Sequence, residues 1–404
     1  MKVLICNVGS TSLKYQLIEM DGEAVLAKGG VERVGAGTSP MRHQAAGRTE
    51  VTKEIHAADH SAAVAEMLAL LQDPDPAVGV IRSLDEVAAV GFKVVGARGV
   101  TGAVRLDEPV LRAMEEYNPV LPAHNPPYLA AIRIFERLVP EIPRIGLFET
   151  TFHRDIPDYA WIYSVPYEWY EKYGVRRYGY HGASLRYVSE RVPALLGRPA
   201  AELRLVACHL GGSSSICAVK GGRSIDTSMG LTTQAGVPMS SRSGDFDPFV
   251  IPFIQERAGL DAAGVVTALT TNGGLKGISG VSGDMRDLEE AAAAGNDRAR
   301  LALDAFAYDV KKYIGAYAAA MGGLDAIAFS GGIGENGVEM RAQICEGLEF
   351  LGVELDEARN TAARRVEAII SRERARTAVL VVPTNEEIIV ARACVAVLTG
   401  REWV

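Results

Sequence analysis

The sequence predicts an α/β protein made of two related halves. Three observations carry this. First, Leu205-Val206-Ala207-Cys208 is an apolar run, Gly211-Gly212-Ser213-Ser214-Ser215 is a small-residue turn, and Ile216-Cys217-Ala218-Val219 returns to Lys220-Gly221-Gly222. That is a β-hairpin whose tip lets backbone N–H groups approach a phosphate unhindered. Second, the same pattern opens the chain: Val3-Leu4-Ile5-Cys6, Gly9-Ser10-Thr11-Ser12, then a return strand from Leu13. Cys6 aligns with Cys208, Asn7 with His209 and Gly9 with Gly211, an offset of 202 residues, half of the 404-residue chain. Third, apolar runs of strand length alternate with segments of helical spacing in both halves.

The elements follow in order. Residues 21–52 are Gly-rich and alternating, which reads as strands and loops. Residues 56–71 carry apolar side chains at helical spacing and stop before Pro74 and Pro76. Residues 87–95 read as a strand carrying Lys93, 109–117 as a helix, and 120–127 as a loop stiffened by three prolines. A helix is expected over 128–138 and a strand over 143–148. Residues 154–180, rich in Tyr and Pro, read as a surface segment between the halves. Helices follow at 185–196, 284–294 and 297–321, the last stopped by Gly322-Gly323. Residues 324–329 read as a strand, 331–336 as a tight loop opening a helix, and 379–382 as a strand. Thr384-Asn385 caps a final helix that begins at Glu386.

Composition narrows the class. Hydrophobic residues at 48% and charged residues at 23% are ordinary for a globular protein with real cores. A net charge of −8 argues against a general nucleic-acid binder. Five cysteines without metal-ligand spacing, three of them in apolar strands, suit a reducing compartment. Asn7 interrupts the N-terminal apolar run, so no signal peptide is expected, and no apolar run approaches the ~20 residues that span a bilayer. The expectation is a cytoplasmic protein without membrane or nucleic-acid partners.

Several motifs then occur in a fixed order: the 7–14 hairpin, His124-Asn125-Pro126, the 148–153 segment, Tyr178-Gly179-Tyr180-His181-Gly182, Asp226-Thr227-Ser228-Met229-Gly230, the 242–248 loop, the 282–288 segment, the 329–336 segment and the 383–387 segment. Across its whole length the chain resembles the acetate kinase family of short-chain carboxylate kinases. The resemblance implies duplicated actin/hexokinase-like (ribonuclease H-like) domains around an interdomain cleft, with halves at 1–150 plus 386–404 and at 151–385. It further implies a homodimer, ATP as co-substrate, and Mg²⁺ (or Mn²⁺) as the metal.

Matched position by position, the resemblance assigns Asn7 and Glu386 to the metal. It assigns Lys14, His209, Gly211, Gly212, Ser213, Asp284, Met285, Arg286, Gly331, Gly332, Ile333, Gly334 and Asn336 to the nucleotide. Catalysis falls to Glu149, His181 and Arg242. Acceptor binding falls to Lys93, Val95, His124, Tyr180 and Thr233. Each also has an ordinary reading: Glu386 as a first-turn carboxylate on a helix dipole, Asp284 as a helix cap, the glycines as turns, His153 and His209 as structural hydrogen bonders. Arg242 stands apart, because a guanidinium in a Gly/Asp loop offers a two-pronged donor for a carboxylate or phosphoryl group.

The departures from the family pattern cluster on the acceptor side. Lys93 stands for an arginine, Glu149 for an aspartate, Leu185 for a histidine, Gly212-Ser213 for Asn-Gly, and Ala123, Tyr180 and Thr233 for Leu, Phe and Pro. The expected function is phosphoryl transfer from ATP to acetate or a related carboxylate, with an acceptor larger or more polar than acetate left open. A changed donor or acceptor, or a degenerate nucleotide-binding paralogue, are the alternatives.

Overall fold

The apolar run at the N-terminus becomes a central strand, because its alternate side chains must be buried on both faces. In the computed structural model, which describes residues 1–9, 11–122 and 124–403, the chain divides into two compact units, Met1–Thr151 with Asn385–Val404, and Phe152–Thr384. The first unit contains β1 (Lys2–Gly9), β2 (Ser12–Glu19), β3 (Ala24–Glu32), β4 (Ser39–Ala45), β5 (Val51–Ile55), β6 (Val87–Val94), β7 (Ala103–Arg105) and β8 (Arg144–Phe148). Their order in the sheet is β5-β4-β3-β2-β1-β6-β8-β7. The second unit contains β9 (Arg204–His209), β10 (Ser215–Lys220), β11 (Arg223–Thr227), β12 (Ala326–Ser330), β13 (Ala368–Ile369) and β14 (Ala378–Val381), ordered β11-β10-β9-β12-β14-β13.

The repeat seen in the sequence is a repeat of topology. In each sheet an antiparallel trio (β3-β2-β1, β11-β10-β9) is followed by a parallel pair (β6-β8, β12-β14). Even the register agrees. Cys6 pairs with Phe92 on β6, and Cys208 pairs with Phe329 on β12. Both thiols are buried, as are all five cysteines. No helix among the described residues is long and apolar enough to cross a membrane.

In the first unit, Leu4, Cys6 and Val8 share a core with the helices His60–Leu71 and Asn125–Leu138. On the other face, Ile5 and Gly91 meet the last helix, Glu386–Leu398. In the second unit the long helix Asp297–Met321 anchors one core, and the helix Gly182–Leu196 lies over the other face of the sheet.

Four expectations need correction. The helix expected from residue 128 starts at Asn125, because Pro126 and Pro127 occupy its first turn, where their missing N–H groups cost nothing. The expected loop at 331–336 is itself a helical turn, Gly331–Asn336. The segment 154–180 contains two short helices, Asp158–Trp161 and Tyr167–Tyr173. The helices Val250–Ala258 and Ala262–Thr271 were not expected at all; they bury little, so periodicity does not mark them.

His153 shows what holds the Tyr180 segment to the second sheet. Its ring bridges the Ser224 hydroxyl of β11 (2.8 Å) and the Tyr180 carbonyl (3.0 Å). Burial pushes its pKa down from 6.5 to about 4, so the ring folds neutral. The unfolded chain therefore binds a proton that the folded chain refuses. This contribution is intact above pH 6.5 and is lost as pH falls toward 4, by roughly 3 kcal/mol in all. Melting temperatures recorded between pH 7 and pH 4.5 should fall less steeply for His153→Gln than for the wild type.

Candidate active site

The first unit gathers a charged cluster around Lys93. Strand β6 carries Lys93 to its C-terminal end, and the Glu149 N–H bonds the Val94 carbonyl at 2.8 Å, which fixes the start of the next segment beside it. The last helix supplies Glu386 from its first turn, behind an Asn385 cap whose side chain accepts from the Ile388 N–H. Lys93 Nζ lies 2.5 Å from Glu386 Oε2 and 4.0 Å from Glu149 Oε1. Glu149 is only 3% exposed. Burial pulls the Lys93 ammonium down, but Glu149, Glu386 and Tyr128 together outweigh it and hold the group charged, above its ordinary value.

Asn7 stands at the end of β1, paired in register with Lys14. Its Nδ2 donates to Glu387 Oε1 at 3.3 Å, while its buried Oδ1 has no hydrogen-bond partner among the described residues. Asn7, Lys14 and Glu387 border a polar cavity of about 340 Å³ on the face of the first sheet. Lys14 thus belongs to the first unit, whereas the nucleotide loops expected with it lie in the second. Val95 is buried just beyond Lys93, and His124 is half-buried at the start of the Asn125 helix. Asn125 itself donates to the Gly96 and Met114 carbonyls, tying that helix to the strand end after Lys93. Ala123 lies outside the described residues.

An orphaned amide oxygen with a half-buried carboxylate nearby in sequence to its partner is a hard-oxygen donor set. Such a set suits Mg²⁺, which takes few protein ligands and keeps phosphate oxygens and water for the rest. Asn7 and Glu386 therefore fit the metal role expected of them.

In the second unit, His181 occupies left-handed backbone (φ 59°) at the head of the Gly182–Leu196 helix. For a non-glycine residue this costs about 1–2 kcal/mol. Its Nδ1 lies 2.9 Å from the Ser215 hydroxyl, and its ring packs against His209, tilted by 30° with centroids 4.2 Å apart. His209 is in turn held by Ser184, 2.7 Å from its Nδ1. Arg242 is half-buried; its Nη1 donates to the Thr233 carbonyl at 2.6 Å. No carboxylate among the described residues pairs with it, and burial pulls its guanidinium below its ordinary value. Tyr180 is buried, and its hydroxyl donates to the Leu231 carbonyl at 2.7 Å. That hydroxyl is spent inside the fold, which removes one reason for expecting a more polar acceptor.

The expected nucleotide loops converge on one cavity of about 560 Å³, bordered by Gly211, Gly212, Asp284, Arg286, Gly332 and Asn336, with Met285 and Ile333 also lining it. Asp284 caps its helix and is held at about 2 by the bonds from Arg286. Gly331 has φ 74°, and a side chain there would meet the Leu210 carbonyl at 2.6 Å, so glycine is required. Gly334 is buried behind it, and Ser213 sits at the hairpin tip against Met239.

The chain is similar to known proteins along its whole length. The acetokinase family matches residues 2–392. The chain is 47% identical over 402 residues to the acetate kinase of Carboxydothermus hydrogenoformans, covering 99% of this chain and 100% of that one. It is 49% identical over 394 residues to the acetate kinase of Caldanaerobacter subterraneus subsp. tengcongensis, covering 97% and 98%. Among solved structures, the acetate kinase of Porphyromonas gingivalis superposes with a TM-score of 0.89 at 40% identity, covering 98% and 99%. A propionate kinase from Francisella tularensis superposes with a TM-score of 0.87 at 32% identity, covering 97% and 98%.

Sequence reasoning missed several residues that line this cavity of the second unit, among them Ser240, Glu289, Arg364 and Arg365. It also missed Arg341, which is fully buried beneath the glycine turn. Arg341 donates to the Gly334 carbonyl, to the Asn360 side chain and carbonyl, and to the Ala363 carbonyl, all at 2.8–2.9 Å. Burial, and then the charge of Arg364, pull it down to about 10. Spacing held a signal: Arg341 falls on the same helical face as Val338, Ile344 and Cys345. Arg341→Met should lower stability by at least about 3 kcal/mol, since several buried acceptors lose their donor at ~1–3 kcal/mol each. Calorimetry of the variant reads this as a drop in melting temperature.

Proposed function

The chain belongs to the acetokinase family, and on that premise we propose that Arg242, His181 and Lys93 hold the reacting anions. It is an ATP-dependent carboxylate kinase that converts ATP and acetate to ADP and acetyl phosphate. An acetate oxygen attacks the γ-phosphorus, and the bond from that phosphorus to the β,γ-bridging oxygen breaks as ADP leaves. Such a step needs positioning and charge neutralisation more than covalent help from the protein.

The observation that supports this reading most is Arg242. A half-buried guanidinium anchored through one nitrogen to a carbonyl keeps other N–H groups for an anion. In this reading Arg242 binds the transferring phosphoryl group or the acceptor carboxylate. His181, oriented by Ser215, donates to phosphoryl oxygens in the transition state. Val95, His124, Tyr180 and Thr233 shape the acceptor site, and the loops around Gly211 and Gly331 with Asp284 and Arg286 take the nucleotide.

Lys93 is the acceptor anchor, and the charges around it set a condition. Lys93, Glu149 and Glu386 sum to one negative charge, so the cluster alone repels a carboxylate. A divalent cation held by Glu386 would turn that sum positive. We assign Mg²⁺, with Mn²⁺ as a substitute, to Asn7 and Glu386. When bound, the ion supplies charge neutralisation for the nucleotide phosphates. Glu149 positions the Lys93 ammonium.

A homodimer is also part of this reading. The helices Val250–Ala258 and Ala262–Thr271 leave Phe253 58% and Val266 53% exposed, beside Phe249 at 77%, apolar surface that a second copy would cover. Sedimentation velocity would then give twice the chain mass. The buried thiols suit the reducing cytoplasm.

Capture of acetyl phosphate as its hydroxamate tests the chemistry. Arg242→Leu should lower kcat/KM for acetate by about 10²–10³-fold; an unchanged rate would remove Arg242 from the mechanism. Lys93→Arg and Glu149→Asp should couple by at least ~0.5 kcal/mol in a double-mutant cycle on kcat/KM, because the Glu149 carboxylate stands 4.0 Å from the Lys93 ammonium. Strict additivity would show that they act separately.

A further inference from the structure

The lining of the nucleotide cavity contains one carboxylate for which no donor is found among the described residues. Asp284 is taken by Arg286, at 2.7 Å. The Asn336 amide donates to the Gly332 carbonyl and Arg364 donates to the Asn336 carbonyl, both at 2.8 Å. Glu289 is different. It is half-buried on the helix Met285–Ala293, one turn beyond Met285, and borders the same cavity. Among the described residues it has neither a hydrogen-bond nor an ion-pair partner. Burial, and then Glu339, push its carboxyl above its ordinary value, against the pull of Arg364.

A carboxylate repels phosphate, so the part of the cavity at Glu289 suits the end of the nucleotide that has no phosphate. The glycine-lined part, with Gly211, Gly212 and Gly332, suits the phosphates. A nucleoside offers two kinds of hydrogen-bond donor: ribose hydroxyls and the amino group of the base. We propose that Glu289 is a nucleoside-binding residue that accepts a hydrogen bond from one of these donors and so sets nucleoside specificity. The inference rests on the cavity being the nucleotide site. It adds a recognition residue on a helix face that the glycine loops and the Asp284 cap do not explain.

The test is calorimetric titration of the full chain with ATP, for the wild type, Glu289→Ala and Glu289→Gln. Glu289→Ala should weaken ATP about tenfold, and Glu289→Gln, which keeps a neutral acceptor, should recover most of the loss. Two analogue arms identify the donor. If a ribose hydroxyl is read, the penalty of Glu289→Ala should vanish with 2′-deoxy- or 3′-deoxy-ATP. If the base amino group is read, it should vanish with purine riboside triphosphate. Equal ATP affinity in wild type and Glu289→Ala would overturn the proposal. So would an equal penalty with every analogue, the result expected of a residue that only shapes the helix. A wild type that fails to bind ATP would overturn the nucleotide reading itself, and this inference with it.

Discussion

The first unit depends on the return of the last helix to the first sheet. Gly91 makes that return possible: a side chain there would stand 2.7 Å from Cys394 Sγ and Ile5 Cδ1 and 3.1 Å from Val390 Cγ1. The helix is therefore seated in a slot on β6 that only glycine leaves open, and it buries Ile388, Ile389, Val390, Ala391 and Cys394. This seating has a chemical consequence. The first turn of the helix brings Glu386 to Lys93 and Glu387 to Asn7, joining chain positions almost 300 and 380 residues apart. Burial of that apolar face, at ~25 cal/mol per Å² of surface removed from water, stabilises a charged cluster that would not assemble by attraction alone.

The two units use one sheet plan for different ends. The first hairpin finishes in Asn7 and a cluster of charges. The second finishes in Gly211 and Gly212, on the border of a cavity whose opposite lining is the Gly331 turn. Glycine there has a cost in helix propensity, of about 1 kcal/mol per residue. The turn is nonetheless held: Glu335 accepts from the Gly331 N–H, Ile333 N–H reaches the Leu210 carbonyl, and Arg341 takes the Gly334 carbonyl from below. The strain at His181 is held in a similar way, by Ser215 and by ring contact with His209.

Much of this was legible in the sequence because the signals were local. Apolar runs broken by Gly and Ser turns marked the hairpins, and Asn385 before Glu386 marked a helix start. The motif order also grouped residues that line one cavity of the second unit. What was not legible depended on tertiary context. Nothing local says that 331–336 is helical, since part of what holds the turn comes from Leu210 and Arg341, outside the segment. The partner of Lys93 was not legible for the same reason. Lys93 and Glu149 stood out in the sequence as two departures at one site, but nothing local showed that Glu386, almost 300 residues away, is the nearer carboxylate to Lys93. Tyr180 looked like a polar change in the acceptor site until Leu231 was seen to accept its hydroxyl.

The central claim is that Lys93 anchors the acceptor carboxylate once Glu386 is engaged by the metal. Calorimetric titration of acetate into the protein saturated with Mg-ADP tests this most directly, in the wild type and in Lys93→Met. The account predicts that Lys93→Met binds acetate at least tenfold more weakly, the loss of a charge-assisted hydrogen bond, while Mg-ADP affinity does not weaken. Equal acetate affinity in the two proteins would contradict it.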